Sequence, residues 1–182
     1  MTFTNQPYTS VAFSGYRTSK ILHSSSDSQI ISSIENKLLY TIETLYHRGA
    51  RLFISGGSTG FDTLAAFAVL KSKSTRCDIS LTLALPFEGH DAQFSPRQKA
   101  NFRTIANGAD QIIYVSQQYH DRAYLDRNKY MLRNSSTLVC YFDGQRGGTM
   151  YTTNRALNMG HEIINLCEGY QIKRNDTQLL LF

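Results

Sequence analysis

Cysteine is scarce in this chain of 182 residues. Cys77, Cys140 and Cys167 are odd in number, far apart and never spaced as Cys-x-x-Cys, which argues against a disulfide framework and against a cysteine-based zinc site. Cys140, inside an apolar run, reads as a buried strand residue. His23, His47, His90, His120 and His161 are equally scattered, with no His-x-His or His-Glu-x-x-His pattern, so no metal and no cofactor is expected. Long hydrophobic runs are also missing. No segment approaches the roughly 18 consecutive apolar residues of a helical span, so no membrane partner is expected. Met1 to Ser10 is polar and lacks the charged start and apolar core of a secretory signal, which predicts a cytoplasmic protein. Runs of like charge are absent too. The formal charge of +5 and pI near 9.2 come from scattered residues, so a nucleic-acid partner is not expected; a mildly basic surface that favours anionic ligands is.

What is present is ordinary for one globular unit: 41% hydrophobic and 18% charged residues. The length predicts a single domain over residues 1–182, with its core at about 8–166 and a tail over 167–182. Tyr8 to Phe13 predicts a strand that ends in a turn at Ser14-Gly15. After a polar stretch from Ser24 to Ser28, Ile31, Ile34, Leu38, Ile42 and Leu45 recur at helical spacing. Arg51 to Ser55 predicts a second strand, after which Gly56-Gly57-Ser58-Thr59-Gly60 opens a helix carrying Leu64, Ala65, Ala68 and Val69. Ile79 to Leu85 is a third strand, closed by Pro86. Ser95 is placed to cap a helix begun by Pro96. Gln111 to Val115, Asp121 to Asn134, Thr137 to Phe142 and Thr149 to Asn158 continue as strand, helix, strand and helix, before a last apolar segment from Glu162 to Leu166.

Such alternation predicts an α/β, Rossmann-like three-layer domain: a mostly parallel sheet, its strands buried on both faces, with helices on each side. In these folds ligands bind outside the carboxyl ends of the strands. Three loops fall there. Ser14, Gly15, Tyr16 and Arg17 follow the first strand; Gly56, Gly57, Ser58, Thr59 and Gly60 follow the second; Gly147, Gly148 and Thr149 follow the fifth. Two of these loops lead into helices, whose free N–H groups and dipole favour an anion. Arg17 is suited to clamp a phosphate. Thr59 and Asp62 match a Thr-x-x-Asp capping box; the functional alternative is that the Asp62 carboxylate accepts hydrogen bonds from a ribose or base. On the helix from Asp121 to Asn134, Tyr124, Leu125, Met131 and Leu132 share an apolar face that includes Asn128. Arg127 stands at its boundary, and Arg122, Lys129 and Arg133 form an opposite, solvated stripe. Arg127 and Asn128 are therefore candidate ligand contacts. Glu88, just past the third strand, is the acidic residue best placed to be catalytic.

Val-Ala-Phe-Ser-Gly-Tyr-Arg (11 to 17), Ser-Gly-Gly-Ser-Thr-Gly-Phe-Asp (55 to 62), Leu85-Pro86-Phe87, Arg127-Asn128 and Gly147-Gly148-Thr149 together resemble the YpsA-like branch of the SLOG superfamily. The DNA-processing protein DprA and the LOG phosphoribohydrolases are its wider relatives. The resemblance implies a Rossmann-like sheet and a nucleotide-type ligand. It does not imply an activity: where the LOG pattern Gly-Gly-x-Gly-Thr-x-x-Glu carries its glutamate, this chain has Thr152. The expectation is a protein that binds or senses a nucleotide or an ADP-ribose-like derivative. The alternative is an N-glycosidic hydrolase of nucleotides, with Glu88 or Asp62 as carboxylate and Arg127 on the phosphate. DNA binding, as in DprA, ranks last. The apolar ending from Leu179 to Phe182 predicts docking on the body or in a homodimer, and the LOG resemblance favours the dimer.

Overall fold

The computed structural model describes residues 9–21 and 27–172. In chain order its elements are β1 (Thr9–Gly15), α1 (Thr18–Ile21), α2 (Asp27–His47), β2 (Ala50–Ser55), α3 (Phe61–Lys73), β3 (Ser80–Leu85), α4 (Pro96–Gly108), β4 (Gln111–Tyr114), α5 (Ala123–Arg133), β5 (Thr137–Tyr141), α6 (Gly148–Asn158) and β6 (Glu162–Asn165). The expected alternation is there, with one addition: α1 is only four residues long, too short to show a period in sequence.

The strands form one six-stranded sheet in the order β4-β3-β2-β1-β5-β6, and every neighbouring pair is parallel. From β1 to β4 the chain steps outward in one direction, then returns to place β5 on the other side of β1. Right-handed crossovers therefore put α2, α3 and α4 on one face and α5 and α6 on the other. The packing agrees: α2 lies on α3 and α3 on α4, whereas α5 lies on α6. Val11, Phe13, Phe53, Leu81 and Leu83 are fully buried in the core. The Phe13 and Phe53 rings stack at 6.1 Å between centroids. Ile34, Leu38, Ile42 and Leu45 bring the apolar stripe of α2 onto this layer.

Several local expectations need correction. Ser14 and Gly15 are not a turn. They extend β1, in register with Cys140 and Tyr141. β4 is not buried on both faces: it is the edge strand, paired among the described residues with β3 alone, and Ile112 and Tyr114 are 41% and 50% exposed there. Thr59 and Asp62 do not form a capping box. Helix α3 starts one residue later than that box requires, with Gly60 as its N-cap and no side-chain cap. Ser95 does cap α4: its hydroxyl accepts the Gln98 N–H at 3.4 Å, and the Gln98 side chain accepts the Ser95 N–H at 2.9 Å. On α5, Arg127 stands not at a boundary but on the buried stripe with Ala123 and Met131, one turn apart each way. The apolar ending, residues 179–182, lies outside the described residues. Among the described residues no helix is long and apolar enough to cross a membrane.

Candidate functional site

The strand order reverses between β1 and β5. Their carboxyl ends, Gly15 and Tyr141, diverge into connections that leave over opposite faces, which opens a crevice of about 430 Å³ above the sheet. Ser14, Gly15, Tyr16 and Arg17 line it from β1 and the loop that follows. Gly147, Gly148 and Thr149 line it from the start of α6. Ser58 and Asp62 reach it from the β2 side, and Arg127 and Asn128 from α5.

The rest of the second glycine loop lies outside this crevice. Gly56 is not on the crevice wall; the Arg127 guanidinium occupies the space a β-carbon would need there. Gly57 packs toward Leu85, away from the crevice. Gly60, at φ 88°, lies so close to the Tyr16 carbonyl and the Thr18 nitrogen that no side chain fits. Thr59 and Gly60 instead line a neighbouring groove over α3, with Thr18, Phe67 and Arg97. Glu88 is exposed in the turn after β3 and lines neither space.

At the crevice floor Arg127 and Asp62 form a buried ion pair, Nη1 to Oδ2 at 3.3 Å, with each side chain 7% exposed. Arg127 also donates from Nη2 to the Ser58 hydroxyl at 3.1 Å, and the Ser58 N–H donates to Asp62 Oδ2 at 3.4 Å. Burial pushes the Asp62 carboxyl up and the Arg127 guanidinium down, and the opposite charge of each resists the other's shift. The guanidinium still has a buried Nε without a hydrogen-bond partner among the described residues.

Above this floor the crevice is cationic. Arg17, Lys20 and Arg146 are exposed on its walls, and among the described residues none of them is in a salt bridge. The Arg17 guanidinium lies 5.5 Å from the centre of the Tyr124 ring, and the Lys20 ammonium 4.7 Å from that of Tyr16. Sequence reasoning missed Lys20, Arg146 and Tyr124 as wall residues. The available signals were that Lys20 follows Arg17 by three residues and that Arg146 immediately precedes Gly147. Tyr16 itself is buried and donates its phenol proton to Asp143 on the β5 loop. Burial, followed by that hydrogen bond, pushes its phenol up to about 12.

His90 was not singled out in the sequence either. Its ring sits among Phe87, Phe94 and Phe102, with Nε2 3.4 Å from the Gly57 carbonyl, and burial holds it below the ordinary imidazole value. It supports the glycine loop from behind.

Comparison with known proteins gives the arrangement a lineage. The chain is 30% identical over 159 residues to the SPbeta prophage-derived protein YoqJ of Bacillus subtilis (strain 168), a match that covers 79% of this chain and 93% of that one. It is 24% identical over 141 residues to UPF0398 protein BH1768 of Halalkalibacterium halodurans, covering 76% and 75%. In fold it matches the X-ray structure of DNA processing protein A (DprA) from Streptococcus pneumoniae, with a TM-score of 0.60 and 21% identity over 87% of this chain; it spans half of that protein. A DprA structure from Helicobacter pylori, described for its single-stranded DNA binding mode, matches with a TM-score of 0.58 and 15% identity over 86% of this chain and 64% of that one. The model of the YspA SLOG family (YpsA) matches residues 11–172, and the chain belongs to that family.

Proposed function

We propose that this protein binds a nucleotide or an ADP-ribose-like derivative in the crevice at the β1/β5 reversal, as a cytosolic binding or sensing protein. The observation that carries the reading is the convergence of Arg17, Lys20 and Arg146, free of salt bridges among the described residues, on the N-terminus of the 11-residue helix α6. Three exposed cations around unpaired helix N–H groups suit a multiply charged phosphate. Tyr124 offers an aromatic surface for a sugar or base, and a crevice of about 430 Å³ falls in the range of small-ligand sites.

Thermal-shift measurement with a panel of mononucleotides, dinucleotides and ADP-ribose tests this. A ligand at 100 times its dissociation constant adds about 2.7 kcal/mol of stability. Gly148→Val places bulk at a crevice position where a β-carbon meets no neighbour within 4 Å, so it should abolish that gain and leave the fold intact. If no member of the panel stabilises the protein, the reading is wrong.

A second reading is single-stranded DNA, the ligand described for the Helicobacter pylori relative in fold. The same cations would contact its phosphates, and binding in a gel shift would weaken steeply with salt. The N-glycosidic hydrolase reading has less support. Among the described residues Asp62 is the only carboxylate on the crevice wall, and it is engaged by Arg127 and Ser58. Release of free base from nucleoside monophosphates, abolished by Asp62→Asn, would restore it.

A further inference from the structure

Thr152, one turn into α6, is 2% exposed. Its hydroxyl donates its single proton to the Gly148 carbonyl at 2.9 Å. The oxygen of that hydroxyl can then only accept, and the group facing it, 2.8 Å away, is the side-chain amide of Asn128. With the proton on the Gly148 carbonyl, the atom turned toward Thr152 is the donor, Nδ2. The geometry thus fixes which way the amide points, and Asn128 Oδ1 is left on the other side. Oδ1 has no hydrogen-bond partner among the described residues and is not among their buried unsatisfied atoms, while Asn128 lines the crevice.

We propose that Asn128 Oδ1 is a specificity-determining acceptor, selecting ligands that present a hydrogen-bond donor at this point, and that Thr152 is the positioning residue that aims it. This rests on the nucleotide-binding reading above. The remainder of the exposed wall consists largely of donors, from Arg17, Lys20, Arg146 and the first N–H groups of α6. A phosphate gains nothing from a carbonyl oxygen, because both are acceptors, so Asn128 reads the non-phosphate part of the ligand. The donor it takes is a sugar hydroxyl or an exocyclic base amine. An unaimed amide would tolerate either a donor or an acceptor by rotating; the bond to Thr152, with the hydroxyl proton held on the Gly148 carbonyl, favours the orientation that leaves Oδ1 on the crevice.

Isothermal titration calorimetry with adenosine 5′-monophosphate, its 2′-deoxy and 3′-deoxy forms and inosine 5′-monophosphate distinguishes the sources. The wild-type protein should bind adenosine 5′-monophosphate about tenfold more tightly than one of the three analogues, the size expected for one lost hydrogen bond. A deoxy form as the weak binder assigns the sugar, and the inosine form assigns the base. Thr152→Val should bring that ratio to about one, as should Asn128→Ala, whereas Thr152→Ser, which keeps the hydroxyl, should retain it. General damage to the fold lowers all four affinities together and leaves their ratio intact, so the ratio separates aiming from mere support. Equal binding of all four by the wild type, or an undiminished ratio in Thr152→Val, overturns the assignment of Asn128 and Thr152 while leaving the binding reading in place. If none of the four binds, while another nucleotide stabilises the protein, this assignment fails alone; if no nucleotide does, both fail.

Discussion

Replacing Gly56 by alanine adds one carbon, and its cost should be large for a reason that has nothing to do with backbone strain. Gly56 is not among the glycines with positive φ, so an alanine there meets no conformational penalty of that kind. The new β-carbon would instead overlap Nη1 of Arg127 and stand 2.7 Å from Asp62 Oδ2. Arg127 has to leave, and its bonds to Asp62 at 3.3 Å and to Ser58 at 3.1 Å go with it. Asp62, 5% exposed, is then a buried carboxylate without its counter-ion. Removing one partner of such a pair costs about 3–5 kcal/mol. For a chain of this size, at roughly 2–4 °C per kcal/mol, the melting temperature falls by about 6–20 °C. Equilibrium urea unfolding and calorimetry measure both. The mechanism carries its own control: once Arg127→Met has removed the guanidinium, Gly56→Ala should add less than about 1 kcal/mol, a strong coupling between the two sites. Gly148→Ala, where a β-carbon meets nothing within 4 Å, should be neutral or slightly stabilising. A loss of under about 1 kcal/mol for Gly56→Ala alone, or an equal loss in the Arg127→Met background, refutes the argument.

Three further outcomes are expected. Burial pushes the Asp110 carboxyl up, but Lys73 at 2.5 Å and the Leu81 N–H at 2.7 Å outweigh it and hold it below its ordinary value. A depressed carboxylate stabilises above its unfolded value of about 3.9 and loses that contribution as pH falls through the folded one. Asp110→Asn should therefore be less stable than wild type at neutral pH and converge with it in strong acid, as urea midpoints would show. His90 is depressed by burial, so the unfolded chain takes up its proton first as pH drops below about 6.5. Wild-type stability should decline from pH 7 to 5, and His90→Phe should flatten that slope. If the apolar ending from Leu179 to Phe182 docks in a homodimer, light scattering finds a dimer for the full chain and a monomer for one ending at Gln178; a monomeric full chain leaves docking on the body.

Much of the fold is written locally, because each strand here is a short apolar run and each long helix has its own period. Ser95 and Pro96 even mark a helix start to the residue. What local pattern cannot carry is partnership. Ile112 and Ile113 look like any buried strand, and only the sheet order reveals that β4 has a single neighbour among the described residues. The glycine loop after β2 reads as a phosphate cradle. Yet Gly56 answers to Arg127 and Gly57 to Leu85, contacts between distant parts of the chain. Arg127 and Asp62 are 65 residues apart, so their pairing is invisible to spacing rules. For the same reason Gly57 would be a poor probe of binding: a side chain there collides with Leu85 and damages the core before it touches any ligand. Thr152 was noticed for the glutamate it replaces. Its bond to Asn128 joins two helices and has no signature in either.

The loops around the crevice are tied to one another as well as to the sheet. The Phe61 N–H donates to the Tyr16 carbonyl at 3.0 Å, which fastens the β1 loop to the start of α3, and the Tyr16 phenol fastens the same loop to Asp143 after β5. The Phe61 ring stacks on Tyr141 at 6.0 Å beneath these bonds. For a small molecule bound in this crevice, these bonds already hold the backbone of the two loops, so the conformational entropy still to be lost would lie mainly in exposed side chains such as Arg17, Lys20 and Arg146. A crevice with its loops tied in this way would discriminate by shape and by fixed hydrogen-bond direction, with little backbone change at those loops on binding.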